Sequence, residues 1–188
     1  MGPFGRENPS PVEILRGAEW TCNSCEQPHV GMFDIASQAP DPWPHEGNYE
    51  PNSGLRLDGD FLSEDFCVLE GTYFMVRCVL EIPVHGLADK FAFGCWGSLK
   101  RENFETYVDH FDGGTLPEGM PWWSWLCNRL HPYVDEDSIG CWMHPQLDRQ
   151  RPVLSVDDPD HPLGAAQHDG ISPEQLLDIY AHYGHAIL

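Results

Sequence analysis

Residues 66–97 constrain the fold more than any other part of the chain, because they contain three β-rich segments separated only by short turns. Residues 66–69 and 72–83 flank the dipeptide Glu70-Gly71, and together they are rich in Val, Tyr, Phe and Ile, which favours a β-hairpin. Residues 90–97 form a third segment after a turn at residues 83–89. Consecutive strands joined by short turns run antiparallel, so the sequence predicts an antiparallel meander at the centre of the fold.

The second of these segments is predicted to have two different faces. Side chains alternate between the two faces of a strand, so every second residue of 72–82 shares a face. One face carries the apolar series Phe74, Val76, Cys78, Leu80 and Ile82, whereas the other is mixed and includes charged residues. We expect the apolar face to pack in the core.

Two helices are predicted after the meander. Residues 100–111 repeat apolar side chains at the i, i+3, i+4, i+7 spacing of one buried helix face. Residues 173 to about 183 begin with Ser172, Pro173 and Gln175, which supply a capping box and a proline at the first helical position. With a candidate strand at residues 153–156, these elements indicate an α+β fold. Its predicted parts are a central antiparallel sheet (hairpin or meander), flanking helices and an N-terminal Cys-x-x-Cys knuckle.

The length fits a single domain. Residues 1–19 are rich in Pro, Gly and charge and are predicted to be a flexible arm, which leaves residues 20–188 as a single α+β domain. Residues 37–60 contain four prolines and three glycines and predict a long irregular connection, of a kind that often covers a site. The aromatic residues 122–127 are expected to pack in the core or against that connection.

The charge is strongly one-sided, with 30 Asp and Glu against 10 Lys and Arg and a formal net charge of -20. Such a surface repels phosphate backbones, so nucleic acid is not expected as a partner, and it attracts basic proteins. Solubility or adaptation to a salty cytosol is the simpler explanation of the same charge. The sequence has no secretory signal and no apolar run of membrane-spanning length, which predicts a cytoplasmic protein without a membrane partner.

Cys22 and Cys25 form a Cys-x-x-Cys motif, a spacing that lets two thiolates bind one tetrahedral zinc ion. His29 lies four residues further on and is a candidate third ligand. The motif lacks a second Cys-x-x-Cys, so a redox pair or two inert structural cysteines remain alternatives. Seven cysteines at irregular spacings do not suggest a disulfide framework.

The remaining candidate residues are scattered. The sequence has no Gly-x-Ser-x-Gly elbow, no phosphate-binding loop and no dinucleotide fingerprint, so the common enzyme signatures are absent. Ten histidines occur without a His-Glu-x-x-His motif. His182 and His185 have the i, i+3 spacing that could share a metal, but solvated histidines at a frayed helix end are the simpler explanation.

Four groups of short motifs follow one another along the chain in a specific order and spacing: Cys22-Asn23-Ser24-Cys25 with His29; Asp65-Phe66-Cys67 through Phe74, Arg77 and Glu81-Ile82-Pro83-Val84; Trp96 through Ser98 with Asn103-Phe104; and Arg151-Pro152 followed by Asp160-His161-Pro162-Leu163 and Gly170-Ile171. In these motifs the chain resembles an uncharacterised bacterial family, domain of unknown function 2199. The resemblance brings no activity. It does place Cys67, His29 and His161 on motif positions, which implies that Cys67 and either histidine complete the zinc site of Cys22 and Cys25.

Two functions are consistent with the sequence. The first is a non-enzymatic binding protein with a structural zinc knuckle, whose acidic surface meets a basic protein. The alternative is a metal-assisted hydrolase, in which His161 or His144 and Asp160 or Asp65 act on a small substrate beneath the Trp-rich residues 122–127. Arg151 is expected to pair with a carboxylate, and Asp160-His161-Pro162 is expected to form a turn.

Overall fold

A computed structural model describes residues 9–186. The helices are α1 (Pro11–Gly17), α2 (Arg101–Gly113), α3 (Pro162–Asp169) and α4 (Pro173–His182). The strands are β1 (Glu19–Thr21), β2 (Pro28–Val30), β3 (Ile35–Ala36), β4 (Phe61–Leu62), β5 (Phe66–Leu69), β6 (Tyr73–Pro83), β7 (Lys90–Leu99), β8 (Trp122–Trp125), β9 (Gly140–His144) and β10 (Val153–Val156). The predicted α+β class is confirmed.

The predicted meander is present as β5, β6 and β7, and it is the centre of an eight-stranded sheet. β6 and β7 pair antiparallel along their whole length, from Phe74 opposite Leu99 to Pro83 opposite Lys90. The sheet continues in the order β3-β7-β6-β10-β9-β8, and β4 and β5 lie to the side of this path. It is mixed, because β3 runs parallel to β7 and β10 runs parallel to β6. β1 and β2 form a separate antiparallel ribbon.

The two faces of β6 are buried in different ways. The alternating apolar face, which includes Phe74 and Ile82, lies in the main core. Met75 on the opposite face packs with Trp96, Leu62 and Cys67 in a second cluster, and part of residues 37–60 packs against that cluster. Ala39 and Trp43 of this connection therefore cover part of the second face of the sheet, whereas Leu55 and Leu57 further along it pack against the main core.

The N-terminal segment of the described chain is a short helix. Ser10 and Glu13 form a capping box at the start of α1, and Ile14 and Leu15 are buried. The first eight residues of the predicted flexible arm lie outside the described residues, and the boundary between arm and domain stays a prediction. No helix within residues 9–186 has both the length and the apolar character that a membrane crossing requires.

Two segments differ from the sequence-based expectations. Residues 162–169 form α3, where only the turn at Asp160-His161-Pro162 is predicted, because the ring nitrogen of His161 accepts a hydrogen bond from the Leu163 amide and caps the helix. The aromatic residues 122–125 form β8, and only alternate side chains are buried: Trp122 faces inward, whereas Trp123 and Trp125 are exposed. Arg151 pairs with Glu64 at 2.9 Å, as expected.

Candidate metal centre

The Cys-x-x-Cys motif lies in the turn that joins β1 to β2. The ribbon closes through the Cys22 amide, which donates to the Gln27 carbonyl at 3.0 Å, and the Glu26 amide donates to the Cys22 carbonyl at 2.9 Å. This tight turn brings Cys22 and Cys25 to one side of the ribbon. The backbone amides of Ser24 and Cys25 point at the Cys22 sulfur, at 3.3 and 3.4 Å. Amides directed at a thiolate sulfur are typical of a zinc knuckle.

These amides change the acidity of Cys22. Burial of the side chain opposes ionisation, but the hydrogen bonds from Cys25 and Ser24 outweigh it and hold the pKa of the Cys22 thiol below its ordinary value. A thiol with a lowered pKa is more readily available as thiolate, and the thiolate is the form that binds a metal.

His29 is the second part of the site, and it comes from β2. It lies opposite Trp20 of β1 in the ribbon, and its ring stacks against both Trp20 and Phe33, at centroid distances of 4.6 and 4.9 Å. Two aromatic neighbours fix the plane of the imidazole. The Nε2 atom of His29 lies 3.3 Å from the Cys25 sulfur. The local fold of the ribbon thus aligns three donors.

The fourth donor is His185, which follows α4 at the other end of the described chain. Its Nδ1 atom lies 3.8 Å from the Cys25 sulfur, and its ring makes edge contacts with His29 and Phe33 at 5.1 and 5.2 Å. The backbone holds it there, because the His185 amide donates to the Tyr180 carbonyl and the Asn23 amide donates to the Ala186 carbonyl at 3.0 Å.

The side chain of Tyr180 anchors α4 to Phe33, in the segment that follows the β1–β2 ribbon. The Tyr180 hydroxyl donates to the Phe33 carbonyl at 2.6 Å and accepts from the Phe33 amide at 2.9 Å, and the two rings stack at 4.2 Å. Tyr180 is fully buried. The end of α4 is therefore fixed relative to His29 by contacts that need no metal, which prepares His185 to meet the other three donors.

The four donors fit a single metal ion. One ligand atom from each of Cys22, Cys25, His29 and His185 lies within 4.8 Å of the others. Tetrahedral zinc with bonds of about 2.3 Å to sulfur and about 2.0 Å to nitrogen requires donors about 3.3–3.8 Å apart, and the Cys25 distances lie in that range. Two thiolates and two imidazoles suit zinc and related soft ions, whereas magnesium and calcium prefer oxygen. This is a Cys2His2 cluster that could hold a metal ion.

Two of the five residues predicted as ligands lie elsewhere. Cys67 is on β5, fully buried beside Met75 and Trp96, and burial raises the pKa of its thiol to about 12. His161 caps α3 and lies 3.4 Å from a carboxylate oxygen of Asp135. Within residues 9–186 neither belongs to a group of donors that could hold a metal. Tertiary packing places their strand and helix away from the β1–β2 ribbon.

The residues considered for hydrolysis do not form one site. His144 Nε2 lies 2.9 Å from the Ser155 hydroxyl oxygen, and Asp65 contacts Asn52 and Arg151. The backbone amide of Asp160 donates to Asp158 in a turn. Among residues 9–186 these side chains are not part of a potential metal cluster. The His144 and Asp65 side chains have structural contacts instead, and Asp160 lies in a turn.

His185 is the donor of this cluster that the sequence did not assign to the site. Its spacing from His182 was the only signal, and the two histidines separate in the structure: His182 stacks face to face on His131 at 3.4 Å between centroids, whereas His185 turns toward Cys25. The spacing therefore pointed to the correct helix end, but it paired His185 with His182, whereas the structure places His185 beside Cys25.

The comparison with known proteins agrees with the motif pattern. A model of a family described as uncharacterised proteins conserved in bacteria, domain of unknown function 2199, matches residues 21–171. This range includes Cys22, Cys25 and His29 and ends before His185. No curated protein and no solved structure shows significant similarity.

Proposed function

The chain belongs to this family of uncharacterised bacterial proteins, and we propose that it is a non-enzymatic binding protein in which a structural zinc ion joins the two ends of the fold and the acidic surface meets a basic protein. The observation that carries the proposal is the closed Cys2His2 set.

The number of donors supports a structural role. Catalytic zinc sites have three protein ligands and keep a fourth position for water or substrate, whereas structural sites fill all four positions with protein ligands. Cys22, Cys25, His29 and His185 supply four. Cys22 is fully buried and the other three donors are partly buried, which limits the access of a substrate.

The position of the donors supports the same role. Three donors belong to the β1–β2 ribbon, and His185 is 160 residues away from Cys25 in the sequence. A bound zinc ion would supply four strong bonds at a place where the structure otherwise has a few hydrogen bonds and stacked rings. A zinc ion bound by these four residues would therefore hold the N-terminal ribbon against the end of α4.

The charge supports a basic partner. A formal net charge of -20 on a chain of this length creates a negative potential that speeds the approach of positively charged proteins. The same potential disfavours nucleic acid, whose phosphates would be repelled.

Elemental analysis of protein purified without added metal or chelator tests the zinc assignment. We expect close to one equivalent of zinc, and we expect Cys22→Ser and His185→Ala to lose it while Cys67→Ser keeps it. Cobalt substitution adds a spectroscopic test, because tetrahedral cobalt with two thiolates has intense visible absorption. Zinc content far below one equivalent would contradict the assignment.

Affinity capture from the source cell at low and moderate salt tests the partner. We expect a basic protein that a control bait of similar size and net charge does not retain. Capture of the same proteins by both baits, or of no basic protein, would contradict the proposed binding function.

A further inference from the structure

A groove of about 850 Å³ opens beside β8, on the opposite side of that strand from β9. One wall is the turn between β5 and β6 with Tyr73, another is the end of β7 with Ser98, and the third is β8 itself with Trp123 and Trp125. This volume is in the range of sites that bind ligands. The metal donors do not line it.

The groove exists because β7 and β8 meet at one point and then separate. Gly97 and Leu126 form an isolated antiparallel bridge, and the Cys127 amide donates to the Trp96 carbonyl at 2.8 Å. Beyond this point the Trp125 amide donates to the side-chain oxygen of Ser98, at 3.1 Å. The Ser98 side chain thus also links the two strands, next to the bridge.

The separation leaves one edge of β8 open. In an antiparallel pair the backbone groups of successive residues point alternately toward the partner strand and away from it. The Leu126 amide donates to the carbonyl of Ile139, the residue before β9, whereas the Trp125 amide points toward β7. By the same alternation the backbone groups of Trp123 face the groove. Within residues 9–186 no strand pairs with β8 on that edge at Trp123.

Aromatic side chains line the open edge and are already held in place. Trp123 and Trp125 are 37% and 47% exposed and contact each other edge to face at 5.3 Å. The Trp123 ring lies directly over Gly140, where a larger residue would collide with it. Tyr73, which is 57% exposed, lies on another wall. Large exposed aromatic groups rimmed by polar ones mark interaction surfaces.

We propose that this groove binds an extended segment of a partner protein, which adds to β8 as a further strand. Main-chain hydrogen bonds to Trp123 would give affinity, and alternate side chains of the segment would pack on Trp123, Trp125 and Tyr73. The inference rests on the proposed binding function and names its surface.

We expect the partner segment that binds in the groove to carry lysine or arginine. Glu70 and Lys100 both line the groove, so their charges offset each other locally, and the preference comes from the net charge of -20 on the whole chain. Exposed indole faces add to it, because they attract ammonium and guanidinium groups.

A library of phage-displayed random dodecapeptides, selected on zinc-loaded protein, is the probe. We expect enriched sequences in which apolar residues alternate with polar ones and which contain Lys or Arg. The best of these peptides is then synthesised, and its Kd is measured by fluorescence anisotropy. Trp125→Ala should weaken the binding roughly tenfold, as expected for an anchor residue of an interface.

Trp142→Ala is the matched control. Trp142 is 37% exposed and also contacts Trp123 edge to face at 5.3 Å, but it does not line the groove. This variant should leave the Kd within about twofold of the parent value, since it removes a similar indole outside the interface.

A scan of N-methylated peptides tests the strand pairing directly. Methylation removes one backbone donor at a time, and only alternate amides of an added strand face β8. Weakened binding should therefore recur at every second position. Equal effects at all positions, or none, would overturn the strand pairing.

The outcomes separate this inference from the proposed function. Basic peptides that bind equally well to the parent and Trp125→Ala overturn the groove and leave the basic partner standing. A library without any enriched peptide also overturns the groove, while the basic partner is judged by the capture experiment alone.

Discussion

Replacement of His185 by alanine tests the proposed structural metal site most directly. The change removes one of four donors and leaves the Cys22–Cys25 turn and His29 in place. It also removes the edge contacts that the His185 ring makes with His29 and Phe33. The first loss matters only when metal is present, whereas the second is independent of metal, so the two can be measured separately.

The magnitudes follow from these two losses. The aromatic contacts of a half-buried ring are worth about 1 kcal/mol in the metal-free protein. Loss of a direct ligand should weaken zinc binding by at least about a hundredfold, which removes about 2.7 kcal/mol of stabilisation at a free zinc concentration that saturates the parent. We therefore expect a loss of about 4 kcal/mol with zinc and about 1 kcal/mol with excess chelator. For a chain of this size each kcal/mol lowers Tm by roughly 2–4 °C.

Thermal unfolding in a zinc buffer and in excess chelator is the assay. His182→Ala is the matched control, because it removes a histidine from the same helix end that stacks on His131 and lies outside the donor cluster. This control should lower Tm by the same amount under both conditions. An equal decrease for His185→Ala with zinc and with chelator would refute the assignment of His185 as a ligand.

Three further predictions concern packing, pH and metal removal. Gly164→Ala should cost about 2–3 kcal/mol in urea unfolding, because its new Cβ would collide with the Asp158 carbonyl oxygen. Gly113→Ala should not destabilise, because its new Cβ would meet only the Thr115 side chain, at ordinary contact distances of 3.6 and 3.9 Å; equal stability of the two variants would contradict the prediction. Burial raises the pKa of the Cys67 and Cys127 thiols to about 12, so the folded state holds these protons longer than the unfolded state, and stability should be complete below about pH 8.5 and fall as pH rises toward 12. Urea unfolding at pH 8 to pH 11 checks this decline, which should be shallower when both thiols are replaced by alanine. Excess chelator should speed amide hydrogen exchange in residues 19–30 and leave β6 and β7 protected; unchanged exchange in residues 19–30 would argue against a metal there.

The sequence identified the features that depend on neighbours along the chain. The meander at residues 66–97 was predicted because alternation and short turns are local properties, and β6 and β7 begin and end within about two residues of the expected positions. α4 was predicted from its capping box, which the structure contains. Cys22, Cys25 and His29 come together because the β1–β2 ribbon is only a few residues long.

Tertiary structure alone decided which distant residues join that ribbon. His185 completes the cluster because Tyr180 fixes α4 against Phe33, and nothing in the local sequence around residue 185 records that contact. Cys67 looked equally suitable in sequence, yet its strand buries it in a hydrophobic cluster on the second face of the sheet. The open edge of β8 was likewise hidden, since it results from the divergence of two strands that are far apart in the chain. Local patterns report the period and polarity of a segment, whereas the pairing of remote segments depends on the packing of the whole core. The fourth donor and the groove could therefore be found only in the folded chain.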